Sequence, residues 1–167
     1  IRNTGQAGVK FPFQNVRTKG QFAERAAATF LMSKEDVMPC LNDSAFCASL
    51  GKTPATIPGV LMADSYVFYW VVSAKNMIQK IAGYADSFWA QERKAKAAAL
   101  GLSTDDVVII ASIIEEETAK SDERGKVARL YINRLRQGMK LQADPTVKFA
   151  LGDFALRRIT HAMLTCE

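Results

Sequence analysis

Helix-start and helix-end signals recur along this chain, and they constrain its fold more than any other feature of the sequence. A Ser, Thr or Asp side chain ahead of a helical stretch satisfies the free amides of the first turn, and Gly ends many helices in the left-handed conformation. The predicted starts are Thr18, Ser33, Asp43, Ser73, Ser103, Ser121 and Asp144. We therefore predict helices ending near residues 32, 41, 51, 99, 117 and 137, a short helix after Asp144 and a final helix over residues 154–165.

Two stretches interrupt this helical pattern. Residues 9–16 alternate apolar and polar side chains around Pro12, which is typical of a short edge strand. Residues 60–71 are β-branched and aromatic, which predicts one or two short strands or an extended segment. The expected fold class is α+β, dominated by helices. Residues 53–58 contain two prolines and no periodicity, so we expect an N-terminal strand and helical lobe (1–52) and a second region (53–167), unless the two form one continuous domain.

Length and composition limit the classes of protein to which the chain can belong. Its 167 residues and 49% hydrophobic content are enough to build a core, which excludes a disordered tail. The chain begins at Ile1 rather than Met, so we expect a piece of a longer protein. No segment approaches the roughly 20 apolar residues of a membrane span.

Charge and cysteine content narrow the classes of partner. A net charge of +5 favours an anionic partner, although most mildly basic domains simply have solvated basic faces. The basic residues are scattered rather than arranged in a stripe with aromatics, so nucleic-acid binding is the weaker hypothesis. Cys40, Cys47, Cys166 and His161 lack the spacing of a zinc site, and we expect neither a metal nor another cofactor. Buried small side chains are the expected role of the cysteines, with a Cys40–Cys47 disulfide as the alternative in an oxidising compartment.

The stretch of residues 111–118 runs an apolar helix into three consecutive carboxylates. At about 100° per residue, the sector defined by Val107, Ile110, Ile113 and Ile114 also contains Glu117, whereas Glu115 and Glu116 turn towards water. A carboxyl held against aliphatic side chains has its ionised form disfavoured, as a general acid working near neutral pH requires. The sequence therefore predicts a buried proton donor at Glu117. The alternative is that Glu117 ends a buried helix and pairs with an arginine.

The next predicted helix offers candidate partners for this carboxyl. Val127, Leu130 and Tyr131 mark its expected buried face, and Arg124 and Arg134 are predicted to project into that face. Two arginines on an apolar face need anions, and Glu117 and Asp144 are the available partners. Residues 139–144 follow as a short extended run, before Asp144 and Pro145 start a helix.

Several short motifs then occur in a fixed order. They are Ala-Ser-Ile-Ile-Glu-Glu-Glu-Thr at 111–118, Glu-Arg at 123–124, Val-Ala at 127–128, Asn-Arg-Leu at 133–135 and Gly-Met-Lys-Leu-Gln-Ala-Asp-Pro-Thr-Val at 138–147. This series closely resembles the endolytic murein transglycosylase family, also called YceG-like. The aromatic run that contains Tyr66 is similar to the segment that precedes the family's catalytic helix.

The resemblance implies a fold and an activity. The fold would be a lysozyme-like helical catalytic core with a few short strands, and the activity would be internal cleavage of nascent glycan strands between N-acetylmuramic acid and N-acetylglucosamine, with a 1,6-anhydro product. The family's catalytic glutamate falls on Glu117. Family members are single-pass inner-membrane proteins with an extracytoplasmic catalytic domain, so the resemblance implies a membrane anchor outside this chain, peptidoglycan as substrate and peptidoglycan synthases as partners.

The remaining motif residues receive roles from the same resemblance. Gln142, Asp144, Thr146 and Asn133 would supply polar groups to sugar hydroxyls and amides, with Arg124 and Arg134 orienting Glu117 or Asp144. Tyr66 would stack on a sugar, with a core tyrosine as the equally weighted alternative. Two other functions stay open: a noncatalytic wall-binding module, and a hydrolase that uses Glu117 and Asp144 as an acid and base pair.

Overall fold

The computed structural model describes residues 7–14, 16–160 and 163. Within these ranges the chain forms eight α-helices, one 3₁₀ turn and one two-stranded sheet, so the predicted helix-dominated α+β class is confirmed. The chain divides into two compact units, residues 1–96 and residues 97–167. The predicted boundary after residue 52 falls inside the first unit, and the division into regions 1–52 and 53–167 stays a prediction.

The first unit contains the sheet. Strand β1 (Gly8–Phe13) pairs antiparallel with β2 (Asp64–Tyr69), and Phe11 lies opposite Tyr66. Because side chains alternate across a strand, Phe11 and Phe13 share one face with Tyr66 and Phe68, and all four are buried. The strand predicted at residues 9–16 is confirmed, and the segment predicted at residues 60–71 contains a single strand.

Helices cover the buried face of this sheet. They are α1 (Lys19–Thr29), α2 (Lys34–Asn42), α3 (Ser44–Ser49), a 3₁₀ turn (Ile57–Val60) and α4 (Ala74–Phe88). Helix α5 (Gln91–Ala99) follows α4 and contributes no residue to this core. The predicted caps are confirmed: the side chains of Thr18, Ser33, Asp43 and Ser73 each accept a hydrogen bond from a first-turn amide. The fully buried side chains at the centre of this core are Phe11, Phe13, Phe22, Val37, Leu41, Cys47, Ile57, Met77, Ile78 and Ile81.

The prediction of one long helix over residues 74–99 is wrong. The helix stops at Phe88, because Trp89 leaves the helical conformation at φ −79° and ψ 50°. The guanidinium of Arg93 donates to the Phe88 carbonyl at 2.7 Å and lies 4.3 Å from the centroid of the Phe88 ring. A side chain thus satisfies a carbonyl that a continuing helix would have bonded to a backbone amide. The spacing of apolar residues does not reveal that a side chain takes the place of this backbone bond.

The second unit is built from three helices: α6 (Thr104–Glu117), α7 (Ser121–Arg136) and α8 (Asp144–Leu151). Ser103 and Asp106 form a capping box at the start of α6, and their hydrogen bonds lower the pKa of the Asp106 carboxyl. The core of this unit is small. It consists of Ile110, Ile113, Ile114, Tyr131 and Ala143, flanked by the partly buried Leu102, Val127, Ala128, Ile132 and Leu141.

Two expectations for this second unit are wrong. Leu130, predicted to be buried, is 49% exposed, because the buried stripe of α7 is narrow and is centred on Tyr131. The helix predicted over residues 154–165 is not formed over residues 154–160, where the chain follows turns and bends. The Asp153 carboxylate accepts from the Ala155 amide at 2.9 Å, as a helix N-cap side chain does, so this bond does not account for the missing helix. The rest of that prediction, like His161 and Cys166, lies outside the described residues, apart from Met163.

Two further sequence expectations concern membranes and cysteines. Among the described residues, no single helix is long and apolar enough to span a membrane. Cys40 and Cys47 are both free thiols in the structure, Cys40 half-buried and Cys47 fully buried. Burial raises the pKa of both thiols, so neither is activated as a thiolate.

Candidate active site

Helix α6 delivers Glu117, the predicted proton donor, at its last position. Ile110, Ile113 and Ile114 hold the helix against the rest of the second unit, and Thr118 ends it in an extended conformation at φ −146°. The Thr118 amide still donates to the Ile114 carbonyl, so the final turn is intact up to Glu117. The position of this carboxylate is therefore fixed by a packed and capped helix.

The expectation that Glu117 is buried is wrong, because its side chain is exposed to water. Glu117 does belong to the same angular sector as Ile113 and Ile114, as the sequence predicted. It lies one turn beyond Ile114, however, and the packed cluster ends before it. The angular sector of a helix gives the direction of a side chain. Burial also requires a neighbouring element at the same level along the helix axis.

The partner of Glu117 is a tyrosine rather than an arginine. The Tyr131 hydroxyl on α7 donates to Glu117 Oε1 at 3.1 Å. The Tyr131 ring is 5% exposed and belongs to the small core of the second unit. Burial, followed by the hydrogen bond to Glu117 and the charge of that carboxylate, raises the pKa of Tyr131 to about 12. The hydroxyl is therefore a permanently protonated donor at neutral pH.

A compact hydrogen-bonded corner joins α6 to α7 and sets the direction of Glu117. The Thr118 hydroxyl donates to Glu123 Oε2 at 3.0 Å, and the Lys120 amide donates to the Thr118 hydroxyl at 3.1 Å. The Lys120 ammonium completes the corner by bonding Glu123 Oε1 at 3.1 Å. These bonds fix the turn between the helix that carries Glu117 and the helix that carries Tyr131.

Arg134 orders the extended run between α7 and α8. Its Nη1 donates to the Leu141 carbonyl at 2.6 Å and to Gln142 Oε1 at 3.2 Å, with a longer contact to the Lys140 carbonyl at 3.4 Å. The hydrogen bonds of Arg134 thus orient Gln142 and the preceding backbone, whereas the predicted role was to orient Glu117 or Asp144. Because a guanidinium only donates, the Gln142 amide oxygen faces it, and the amide nitrogen keeps its donors for other partners.

Gln142 has an unusual backbone. Its φ is +52°, which makes it the non-glycine residue with left-handed φ in the part of the chain that the structure describes. A left-handed conformation costs a residue with a Cβ about 1–2 kcal/mol. Strain of this kind concentrates at functional sites, where the surroundings impose it. The geometry therefore singles out Gln142 as a candidate substrate contact.

Asp144 and Thr146 begin α8. Asp144 is exposed in the first turn and lies close enough to Tyr131 for its charge to raise the tyrosine pKa, while Arg134 acts in the opposite direction. The Thr146 hydroxyl donates to the Ala143 carbonyl at 2.7 Å, so its proton is committed to the helix start and its lone pairs are left for a ligand.

The structure therefore brings part of the predicted site together. Glu117, Arg134 and Asp144 share the surroundings of Tyr131, and Gln142 is bonded to Arg134. Asn133 is exposed on α7. Arg124 is exposed as well, so its predicted projection into the apolar face is wrong: the narrow buried stripe of α7 does not include it.

Tyr66 belongs to the core of the first unit, which was the alternative to sugar stacking. It is 3% exposed, and its ring packs on Phe13, Phe68 and Tyr84. Its hydroxyl donates to the Met62 carbonyl at 2.8 Å, and burial, followed by the charge of Asp64, raises its pKa to about 12. Both the ring and the hydroxyl are thus engaged within the protein.

In the ranges that the structure describes, no group of three or more His, Cys, Asp or Glu side chains is arranged to hold an ion. The hydrogen-bonded groups of the site are one carboxylate, one phenol, one guanidinium and one amide.

Comparison with known proteins identifies the family that carries these residues. A model of the YceG-like family matches residues 2–167. The chain belongs to the YceG-like family. The resemblance noted from the motifs at 111–147 is thereby confirmed.

Curated relatives and a solved structure agree with this assignment. The chain is 30% identical to an endolytic murein transglycosylase of Bacillus subtilis (strain 168) over 175 residues, covering 91% of the chain and 47% of the relative. It is 25% identical to an endolytic murein transglycosylase of Streptococcus pneumoniae (strain ATCC BAA-255 / R6), covering 80% of the chain and 26% of the relative. The crystal structure of a YceG-like protein from Listeria monocytogenes matches with a TM-score of 0.79 and 28% identity, over 96% of the chain and 58% of that structure. The chain thus spans about half the length of the Bacillus relative.

In this YceG-like chain, sequence reasoning missed three residues of the site. The sequence predicts Tyr131 only as a core residue, and it includes Thr118 and Glu123 only as members of motifs with no assigned role. The sequence held one signal for the role of Tyr131: its phenol lies on the next helix after the carboxylate, on a face already predicted to be buried. The contact itself needed the crossing of α6 and α7, which periodicity does not give.

Proposed function

We propose that this chain carries the acid–base residue of an endolytic murein transglycosylase. The reaction would cut the β-1,4 bond between N-acetylmuramic acid and N-acetylglucosamine and form a 1,6-anhydro end. The name of the Bacillus and Streptococcus relatives supports the substrate class. The observation that carries the assignment of the residue is the Glu117 carboxylate, which is held by the Tyr131 hydroxyl through Oε1 at 3.1 Å while the side chain is open to solvent.

A single carboxyl is sufficient for this chemistry. Glu117 would first protonate the glycosidic oxygen as the bond to the anomeric carbon breaks. It would then accept the proton of the muramic acid C6 hydroxyl as that oxygen attacks the anomeric carbon. The proton lost in the first step is recovered in the second, and no water is consumed. A hydrolase would need a second carboxylate to activate water.

The exposure of Glu117 is compatible with the acid step if the substrate itself excludes water. A polysaccharide strand lying over the end of α6 would cover the carboxylate, and loss of water disfavours its charged form. The proton donor would then be created by glycan binding rather than by a buried pocket in the free chain.

Polar side chains on α7, in the run before α8 and in the first turn of α8 fit contacts to sugar substituents. We assign Gln142, Asp144, Thr146 and Asn133 to binding of hydroxyl and acetamido groups, with Arg134 holding Gln142 in its strained conformation. Arg124 and Tyr66 are not part of this assignment, because Arg124 is outside the packed face and Tyr66 is enclosed in the first unit.

Asp144 favours one alternative reaction. Its charge acts on Tyr131, so it lies near the same group as Glu117. If Asp144 activated water while Glu117 acted as the acid, the enzyme would be a hydrolase and its product would have a reducing end rather than an anhydro end.

Location and partners follow from the substrate. Peptidoglycan lies outside the cytoplasmic membrane, so we propose an extracytoplasmic catalytic region, held to the bacterial inner membrane by a single span outside this chain. Peptidoglycan synthases are the proposed partners, because nascent strands are the proposed substrate. The net charge of +5 is consistent with an acidic polymer such as peptidoglycan.

The test is product analysis with the natural full-length protein and purified sacculi. Wild-type protein is expected to release anhydro-ended muropeptides, and Glu117→Gln is expected to lower the rate by about 10²–10⁴-fold, the usual contribution of a general acid and base. Glu115→Gln is the matched control, because it neutralises an exposed carboxylate on the same helix. Undiminished product from Glu117→Gln would overturn the residue assignment. Reducing ends would favour the hydrolase, and binding without any product would favour a noncatalytic module.

A further inference from the structure

We infer that Tyr131 is a positioning residue for the proposed reaction: its hydroxyl occupies Glu117 Oε1 and leaves Oε2 as the oxygen that exchanges the reacting proton. This inference rests on the proposed function and adds a residue that the family motifs did not single out. Tyr131 does not touch the sugar in this proposal, because it acts through Glu117.

The geometry supports a fixed donor. The Tyr131 ring is 5% exposed and packs in the cluster with Ile110, Ile113 and Ile114, the residues that also anchor the helix of Glu117. The two partners of the hydrogen bond are therefore attached to the same small core. A phenol clamped in this way has few alternative rotamers, so its hydroxyl reaches Glu117 Oε1 at 3.1 Å without a large further loss of side-chain entropy.

The hydrogen bond makes the two carboxylate oxygens chemically different. An oxygen that already accepts the Tyr131 proton is a poorer site for a second proton, so the acidic proton of the neutral form resides on Oε2. In the acid step the O–H bond at Oε2 breaks and its proton goes to the leaving glycosidic oxygen. In the base step Oε2 takes up the proton of the C6 hydroxyl. The Tyr131 proton does not move in either step.

The surroundings of Tyr131 keep its hydroxyl in the donating form. Burial raises the pKa of Tyr131 to about 12, so the phenol is neutral over the whole pH range in which a carboxylate works. The charged groups that act on it come from all three helices of the unit: Glu117 on α6, Arg134 on α7 and Asp144 on α8. A donor of this kind stabilises the ionised carboxylate more than the neutral acid.

The test is Tyr131→Phe in the natural full-length protein, with sacculi as substrate. The variant keeps the buried ring and removes only the donor. We expect kcat to fall about tenfold with little change in KM, at the lower end of the value of a hydrogen bond to a charged group, since water can replace the donor at an exposed carboxylate.

Two controls separate positioning from a structural effect. Tyr69→Phe removes the hydroxyl of an exposed tyrosine of the first unit and is expected to leave kcat and KM unchanged. In a Glu117→Gln background, Tyr131→Phe is expected to cause no further loss of rate, because residues that act as a unit are not additive. A fall in kcat that simply adds to the loss caused by Glu117→Gln would mean a purely structural role and would overturn the inference.

A second measurement does not depend on the folding of Tyr131→Phe. In the Glu117→Gln variant the phenol of Tyr131 loses a negatively charged neighbour, so NMR is expected to show its ionisation at lower pH than in the wild type. Identical titrations would contradict the contact. If the wild-type protein yields anhydro products while Tyr131→Phe behaves as the wild type, only this inference fails; if the wild type yields none, the proposed function fails and the inference falls with it.

Discussion

The strained backbone of Gln142 makes an experimental prediction that is independent of any activity. At φ +52°, Gln142 occupies the left-handed region that favours glycine. Replacing it with Gly removes a strain of about 1–2 kcal/mol, but glycine also raises the entropy of the unfolded chain by about 0.4–1 kcal/mol. Gln142→Gly should therefore be more stable than Gln142→Ala by about 0.5–1 kcal/mol, since both variants lose the same bond from Arg134.

Comparison of the two variants isolates the backbone. Gln142→Ala keeps the left-handed strain and loses the hydrogen bond to Arg134, so we expect it to be about 1 kcal/mol less stable than the wild type. Gln142→Gly should then lie close to the wild type, because relief of strain offsets the lost bond. The matched control is Gly138→Ala: Gly138 has φ +66°, and an added Cβ would meet nothing within 4 Å, so only backbone strain changes. It should lose about 0.5–1 kcal/mol.

The assay must report on the second unit alone. Trp70 and Trp89 both belong to the first unit, so tryptophan fluorescence follows that unit. Hydrogen exchange of amides in α6 and α7, read by mass spectrometry in urea, follows the second unit. If Gln142→Gly is less stable than Gln142→Ala by this measure, the left-handed assignment at residue 142 is wrong. We further expect Gln142→Gly to lose peptidoglycan cleavage while the second unit keeps its stability, because the variant lacks the side-chain amide that we propose to bind sugars.

Two further predictions concern the start of α6 and the buried tyrosines. Ser103→Ala removes the capping box with Asp106 and should destabilise the second unit by about 1 kcal/mol in urea unfolding, whereas Ser112→Ala, at an exposed position within the same helix, should change stability little; equal effects would contradict the capping argument. Because burial raises the pKa of Tyr66 and Tyr131 from 10.0 to about 12, the folded state holds these protons more tightly than the unfolded chain. Their contribution to stability is complete below pH 10 and is lost as the pH rises through about 12. Phenolate absorbance should lose amplitude near pH 12 in Tyr66→Phe and in Tyr131→Phe, and loss of that amplitude at a lower pH would refute the predicted burial effect.

Local chemistry made most helix starts readable from the sequence. Ser33, Ser73 and Ser103 accept bonds from amides only three residues away, so the interaction lies within a short window of sequence. The same locality explains the edge strand around Pro12 and the correct placement of α8 after Asp144. Motif order in residues 111–147 was also sufficient to recognise the YceG-like family.

One helix prediction was wrong where a side chain replaces a backbone partner. The Arg93 guanidinium donates to the Phe88 carbonyl, which a continuing helix would have bonded to a backbone amide. Sequence periodicity counts apolar positions and does not register such a bond. The absence of a helix over residues 154–160 has no comparable local cause, because the Asp153 carboxylate bonds the Ala155 amide just as Asp43 bonds Ala45 at the start of α3.

The sequence by itself determined most helix starts, the family and the angular sector of Glu117, because caps, motif order and angular position are properties of short segments. Only the tertiary structure decided that Glu117 is exposed, that Tyr131 donates to it, that Arg134 holds Gln142 and that Tyr66 is a core residue. Burial and hydrogen-bond partners depend on which helices meet and at what height along their axes, and that information belongs to pairs of elements rather than to any one of them.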